Sequence, residues 1–304
     1  MKNIIFVILI ALGIMACDNN QNSKKEGDAS VNLKVFAVNY PLLYFAERIG
    51  GDHIDLIFPI PDNVDPAYWV PYQAIKEIQN ADLILDNGAN YAKWMEKVSL
   101  PSSKVVNTSE AFKDHYIKEQ EGASHSHGGD GDHVHYGFAF TTWLNFKYAE
   151  QQAEAILDVL ISKRPQFKEV FTANFNTLKT ELQELDLQMT SLSEKLPETA
   201  IFASHPVYQY LGERYNLNII SEHWEPGEIP TENQWEEFKH NLDLHPANLM
   251  LWEGEPADEL KLRLKDAKVT TVLFNPCSNK PIEGDFLSTM KQNISKLKKY
   301  IEES

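Results

Sequence analysis

The sequence is short of cysteine, of long apolar runs and of positive charge, and each shortage excludes a class of protein. It has two cysteines, Cys17 and Cys277, which is too few for a disulfide framework inside the folded body. No apolar run reaches the roughly twenty residues of a mature membrane-spanning helix. The formal net charge of −16 argues against the basic patch of a nucleic-acid-binding protein, so no nucleic acid is expected as a partner.

Sequence motifs of common enzymes are missing as well. There is no G-x-S-x-G, and no glycine-rich phosphate loop follows the first predicted strand. Ser204 and His205 are neighbours in the chain, which does not establish a nucleophile with its base. We therefore expect that the protein is not an enzyme.

The N-terminus contains an export signal. Lys2 precedes the apolar stretch Ile4–Ile14, and the segment ends at Ala16-Cys17. This ending resembles the lipobox of bacterial lipoproteins, which implies a signal peptide over residues 1–16, lipidation of Cys17 and a polar tether over residues 17–31. A plain signal peptide cleaved nearby is the alternative. We expect an exported protein, anchored to a membrane by its lipid and facing the periplasm or the cell surface.

The rest of the chain alternates strands and helices on both sides of one long helix. The segment from Leu33 to Asn39 has the pattern of a buried strand, and a helix closed by Gly50 and Gly51 follows it. Alternation of this kind implies parallel sheets. We predict an α/β protein with two Rossmann-like lobes, over residues 32–165 and 198–304. A coiled coil is the alternative for the long helix over residues 166–197, in which apolar side chains recur every three or four positions.

A histidine-rich insert interrupts the first predicted lobe at residues 123–136. Its glycines and aspartates cannot form a packed core, so we predict an irregular loop. Imidazoles on such a loop can chelate Zn²⁺ or Cu²⁺ weakly without a preformed pocket, although a solvated spacer is the alternative. The candidate ligands in the insert are His125, His127, His133 and His135.

The order of leader, lobe, insert, long helix and lobe resembles the solute-binding lipoproteins of zinc and manganese ABC transporters. The segments VNYPLLYFAERIGGD, DPAYWVPYQAIKEIQNADLILDNGANYAKWMEK and SHPVYQYLGERYNL carry the local resemblance. It implies a divalent metal, Zn²⁺ or Mn²⁺, bound between the lobes as the transported ligand. It also implies an ABC permease and its ATPase as partners.

The expected metal ligands are mostly replaced in this sequence. Members of the family bind the ion with three histidines and one carboxylate, and only His205 matches that pattern. The resemblance places Ala67 and Thr141 at the other two histidine positions and Asn275 at the position of the carboxylate. The metal site is therefore expected to be atypical.

We predict a rearranged metal site built on His205. Strand-end positions in parallel sheets usually face the ligand, and several acidic or imidazole side chains occupy such positions. The candidates beside His205 are Glu253, His223, Glu225 and Asp65. The alternatives are a structural hydrogen bond for His205, a helix cap or a partner of a ligating histidine for Glu253, and a surface loop for His223 and Glu225.

Four aromatic residues also fall in segments that approach the predicted cleft: Tyr68, Trp69, Trp143 and Trp224. Packing is the interpretation that we favour, because aromatic side chains bury large areas wherever they occur. The alternative is a cleft that binds an organic ligand or a metal chelate in place of a bare ion. A surface-anchored adhesin or metal chaperone with the same fold is the competing function.

Overall fold

The computed structural model of the chain describes residues 32–119, 137–196 and 199–303, together with the backbone of residues 124–126 and 132–134. The predicted signal peptide, Cys17 and the tether lie outside the described residues, as do His127 and His135. Residues Leu33–Ser304 form one compact unit.

The first lobe is built on a parallel four-stranded sheet. Its strands are β1 (Leu33–Ala37), β2 (Ile54–Ile57), β3 (Leu83–Asp86) and β4 (Val105–Asn107), in the order β2-β1-β3-β4. Helix α1 (Tyr40–Gly50) connects β1 to β2, and the short helix α2 (Ile75–Gln79) precedes β3. The second strand ends at Ile57 and not at Ile60 as its apolar run suggests, because Pro59 and Pro61 have no amide proton for a sheet.

The second lobe repeats this construction. Its strands are β7 (Ile201–Ala203), β8 (Ile219–Ser221), β9 (Leu249–Trp252) and β10 (Thr270–Leu273), in the order β10-β9-β7-β8, and all pairs are parallel. The helices between them are α5 (Gln209–Tyr215), α6 (Glu232–Leu244) and α7 (Asp258–Asp266). The predicted α/β class with two parallel sheets is confirmed.

One long helix, α4 (Lys168–Ser193), links the lobes. Helix α3 (Phe146–Lys163) leads into it, and the buried face of α4 carries the periodic apolar residues found in the sequence: Phe171, Phe175, Leu178, Leu182, Leu185, Met189 and Leu192. Helix α4 packs on α1 and α3 of the first lobe and on α5 and the C-terminal helix α8 (Phe286–Glu303), so its apolar face lies inside one globular core and is not a coiled-coil surface. Among the described helices, none is long and apolar enough to cross a bilayer.

The histidine-rich insert differs from the predicted irregular loop. Strands β5 (Ser124–Ser126) and β6 (Asp132–Val134) form an antiparallel pair in which His125 lies opposite His133. Below this hairpin, the Glu119 amide donates to the Gly137 carbonyl at 3.0 Å. The insert therefore leaves and rejoins the first lobe at one point.

Hydrogen bonds join the loops of the two lobes. The Tyr40 amide donates to the Ser278 carbonyl at 2.9 Å, and Trp143 Nε1 donates to the Pro276 carbonyl at 2.7 Å. Asn279 Nδ2 donates to the carbonyls of Pro61 and Val64, at 2.8 Å each. The segment after β10 is thus fastened to the first lobe at several points.

Candidate functional site

The candidate site lies where the carboxyl ends of the two sheets meet. In the second lobe, His205 follows β7, Glu225 lies four residues after β8, and Glu253 follows β9 directly. In the first lobe, Asp65 lies in the loop after β2. Ligands of open α/β folds usually bind at this edge of a parallel sheet.

Backbone pairing beyond the strands places two carboxylates beside His205. The Trp224 amide donates to the Ser204 carbonyl at 2.7 Å, which continues the pairing of β7 with β8 and brings Glu225 alongside His205. The Ser204 amide donates to the Leu251 carbonyl at 2.9 Å, which places β9, and Glu253 after it, on the other side of His205. The imidazole consequently lies between Glu225 and Glu253.

The His205 ring faces one carboxylate with each nitrogen. Its Nε2 lies 3.6 Å from Glu225 Oε1, and its Nδ1 lies 3.8 Å from Glu253 Oε1. The ring is buried, whereas the side chain of Glu225 keeps 33% of its surface exposed and that of Glu253 keeps 22%. The His223 ring stands nearly perpendicular to the His205 ring, with 6.2 Å between the centroids.

Asp65 brings a third carboxyl group to this cluster from the first lobe. Burial and the nearby charges of Asp65 and Glu225 raise the pKa of Glu253 to about 8. Asp65 itself is exposed, and its Oδ1 accepts a hydrogen bond from the Ala67 amide at 2.9 Å. A carboxylate whose pKa is raised by neighbouring negative charges is stabilised in its ionised form by a cation that binds beside it.

Tyr68 connects this acidic group to the base of the insert. Burial raises the pKa of the Tyr68 phenol, and the charges of Asp65, Glu119, Glu225 and Glu253 raise it further. Glu119 lies at the point where the insert leaves the first lobe. The insert therefore begins close to the cleft.

The residues that replace the expected ligands have structural contacts. Ala67 is buried, and its amide donates the hydrogen bond to Asp65 Oδ1 described above. Thr141 Oγ1 donates to the Val207 carbonyl at 2.6 Å and ties the first lobe to the second. Asn275 Oδ1 accepts from the Cys277 amide at 2.7 Å within its own loop.

Packing explains most of the aromatic residues near the cleft. Trp143 is fully buried, and Trp224 lies in the core of the second lobe among Trp235, Phe238 and Trp252. Trp69 packs edge to face on Trp94. Tyr68, with 39% of its surface exposed, has the largest exposed fraction of the four predicted aromatic residues.

The arrangement supplies donors for a cation but not a preformed cage. Within the described parts of the chain, no three His, Cys, Asp or Glu side chains already converge as metal ligands. His205 Nε2 and Glu225 Oε1 are 3.6 Å apart. Two ligand atoms that share one tetrahedral zinc ion at 2.0 to 2.2 Å lie roughly 3.4 Å from each other, so this pair is spaced nearly as a shared ion requires.

Two residues near the site were not predicted from the sequence. Glu119 approaches Tyr68 only through the fold, and no local pattern around it indicates this proximity. Tyr91 is the second, and the Asn87-Gly88 pair before it is a turn signal in the sequence. Burial raises the pKa of the Tyr91 phenol, and the nearby charges of Asp65 and Tyr68 raise it further.

Comparison with known proteins identifies the family. The sequence pattern of the family described as "Zinc-uptake complex component A periplasmic" matches residues 35–300. The zinc-binding lipoprotein AdcA of Streptococcus pneumoniae strain R6 is 25% identical over 308 residues, which cover 97% of this chain and 60% of that protein. The chain thus spans less than two thirds of AdcA. The metal ABC transporter substrate-binding lipoprotein SsaB of Streptococcus sanguinis is 26% identical, with 98% of both chains covered.

A solved structure agrees with the fold. The zinc-bound ZnuA-like domain of Streptococcus pneumoniae AdcA superposes with a TM-score of 0.74 at 21% identity, over 88% of this chain and 98% of that one. At this identity the likeness bears on the fold alone. The family pattern, in contrast, covers nearly all of the described residues, and the chain belongs to the zinc-uptake complex component A family.

Proposed function

We propose that the protein is the solute-binding component of an ABC importer and that it captures a divalent ion, Zn²⁺ or Mn²⁺, between its lobes. The observation that carries the proposal is the buried His205 ring between two carboxylates, with a third carboxylate reaching in from the first lobe. Imidazole nitrogen and carboxylate oxygen are ligands suited to these ions. Family membership and the names of AdcA and SsaB support the same reading.

The two carboxylates beside His205 have different roles in this proposal. The ring binds an ion through one nitrogen, and its other nitrogen then carries a proton that needs an acceptor. The more exposed Glu225 faces Nε2, on the side from which an ion arrives, so Nε2, Glu225 and Asp65 bind the ion. Glu253 Oε1, 3.8 Å from Nδ1, moves closer to accept a hydrogen bond from the Nδ1–H and so fixes the ring. His223, one ring further, supports His205 from the side.

The insert collects ions for the cleft. His125 and His133 are opposite each other in the hairpin register, and His127 and His135 complete the two H-x-H pairs. The base of the insert adjoins Tyr68 through Glu119, so an ion released from the insert is already near Asp65. Its part is to raise the local concentration of metal and not to hold the transported ion.

The location and the partners follow from the leader and the family. Residues 1–16 act as a signal peptide, Cys17 carries the lipid, and residues 17–31 form the tether between membrane and lobes. The lobes extend over residues 32–165 and 198–304, and they deliver the ion to a permease driven by an ATPase. The protein has no catalytic role of its own.

Isothermal titration of the membrane-free mature protein with Zn²⁺ and Mn²⁺ tests the proposal. We expect that His205→Ala abolishes the tight site, and that deletion of residues 123–136 removes weaker binding while the tight site persists. His245→Ala is the matched control, because His245 is exposed before β9, at the end of that strand opposite to Glu253. Tight binding that survives His205→Ala would overturn the proposed site.

A further inference from the structure

The turn after β3 has an unusual backbone. Gly88, Ala89 and Asn90 all adopt left-handed conformations, with φ of 73°, 48° and 58°. Alanine rarely adopts this conformation, since its Cβ crowds the backbone. A side chain at Gly88 would collide with Ser109 and Asn107, so the turn is also tightly packed. Strain of this kind persists where the surrounding structure enforces it, often at ligand sites.

The strained turn ends at Tyr91, whose hydroxyl is buried with no hydrogen-bond partner among the described residues. The Tyr91 amide donates to the Gly88 carbonyl, and the ring packs edge to face on Phe140 and Trp143 at centroid distances of 5.2 and 5.8 Å. The residue is 1% exposed, and its hydroxyl has no hydrogen-bond partner within the described part of the chain. A buried hydroxyl in this condition destabilises a fold unless a ligand or water satisfies it.

Tyr91 lies at the junction of the two lobes, because its ring packs on Trp143, whose Nε1 donates to the Pro276 carbonyl of the second lobe. Burial raises the pKa of Tyr91 well above its ordinary value, and the charges of Asp65 and Tyr68 add to the effect, so the phenol stays protonated. Asp65 is also one of the charges that raise the pKa of Glu253 beside His205. Tyr91 of the first lobe and Glu253 of the second thus both lie within electrostatic range of Asp65.

We propose that the Tyr91 hydroxyl contacts the bound ion through one of the waters that the ion retains. With the ion bound, the Tyr91 oxygen accepts a hydrogen bond from that water, and the Tyr91 O–H donates a hydrogen bond to Asp65. This inference rests on the proposed function, and it narrows the ligand to a hard divalent cation of the Mn²⁺ type. Such ions favour carboxylates and water over several imidazoles, and this cleft supplies more carboxylate than imidazole donors. A fully dehydrated ion in a tetrahedral cage would have no water for Tyr91 to hold.

The test compares the unaltered mature protein with Tyr91→Phe, which removes the hydroxyl and keeps the ring. Titrations with Mn²⁺ and Zn²⁺ are combined with thermal unfolding of the metal-free protein. We expect the Mn²⁺ affinity to fall about tenfold, which is the effect of removing a residue that hydrogen-bonds to the ligands of a bound metal. The Zn²⁺ affinity should fall less. The melting temperature without metal should rise by a few degrees, because an unsatisfied buried group is gone. If the Tyr91 hydroxyl had only a structural role, Tyr91→Phe would lower the melting temperature of the metal-free protein instead.

Tyr148→Phe is the matched control. Its phenol ring stacks on Phe112 on the same lobe, away from Asp65, and its removal should leave both affinities unchanged. Unchanged Mn²⁺ affinity in Tyr91→Phe, a loss of stability without metal, or an equal loss for the two ions would overturn the inference. If the unaltered protein bound neither ion, the proposed function would fail together with it. If the unaltered protein binds the ions and Tyr91→Phe binds them equally well, the inference about Tyr91 fails and the proposed function stands.

Discussion

Glu253 shows how a single residue links the cleft to pH. Its pKa of about 8 exceeds the ordinary value of 4.5, so the folded protein keeps a proton that the unfolded chain has lost between these values. Stability falls with rising pH wherever the folded state binds more protons. The contribution of Glu253 is therefore an increasing destabilisation as the pH rises from about 4.5 to about 8, and it is constant above that.

We predict that Glu253→Gln removes part of this pH dependence in the metal-free protein. Between about pH 4.5 and about pH 8, the melting temperature should fall less steeply with rising pH in the variant than in the unaltered chain. Glu283→Gln, a change at an exposed carboxylate, serves as the control and should leave the slope as it is. Identical slopes for the Glu253 variant and the unaltered protein would contradict this assignment.

At the scale of residues, the sequence predicts part of the site. Glu225 and Glu253 could be predicted because both follow strands, and parallel strands end at a common edge. Their placement on opposite nitrogens of His205 depends on the pairing of Ser204 with neighbouring strands, which no local pattern specifies. Glu119 comes within electrostatic range of Tyr68, and Tyr91 within range of Asp65, through the tertiary fold alone.

At the scale of elements, helix α4 is the part best predicted from the sequence. Its apolar residues recur with helical spacing, and each of them is buried where the helix meets its neighbours. The helix has 26 residues, fewer than the predicted range of residues 166–197, because Pro165–Phe167 form a separate 3₁₀ turn and the chain leaves the helix before Pro197. The hairpin in the insert could not be predicted, since its residues have no alternating apolar pattern.

We predict that Leu185→Ala in α4 lowers the free energy of unfolding by about 2–5 kcal/mol, because it leaves a cavity at a fully buried site. Leu187, two residues further, has 68% of its surface exposed. Leu187→Ala should change stability by about 0.5 kcal/mol or less. Urea denaturation followed by circular dichroism measures both. Equal losses in the two variants would mean that the apolar face of α4 is not the one buried.

At the scale of the whole molecule, the two lobes share contacts that should make them unfold together. The main hydrophobic core includes residues from both, such as Phe45 of the first lobe and Phe286 of the second, whose rings meet edge to face with 5.3 Å between their centroids. The hydrogen bonds made by Asn279, Trp143 and Tyr40 add further contacts between the lobes. Cooperativity follows when a large part of the core is common to both lobes.

We predict a single unfolding transition, with coincident denaturation curves from tryptophan fluorescence and far-ultraviolet circular dichroism. Asn279→Ala removes two hydrogen bonds between the lobes and should lower stability by about 1–3 kcal/mol without splitting the transition. Two separated transitions in the unaltered protein would show that each lobe is stable by itself.

The fastening of the segment after β10 to the first lobe also affects how fast an ion can leave. Opening the lobes as a hinge would break the bonds from Asn279, Trp143 and Tyr40 together. Domain hinges move in microseconds to milliseconds, whereas loops move in nanoseconds to microseconds. The loop that carries Asp65 is one of the parts fastened in this way, because the two bonds from Asn279 end on Pro61 and on Val64, which directly precedes Asp65. Release of the ion from Asp65 is then coupled to breaking these bonds, and we expect it on the slower timescale of the hinge.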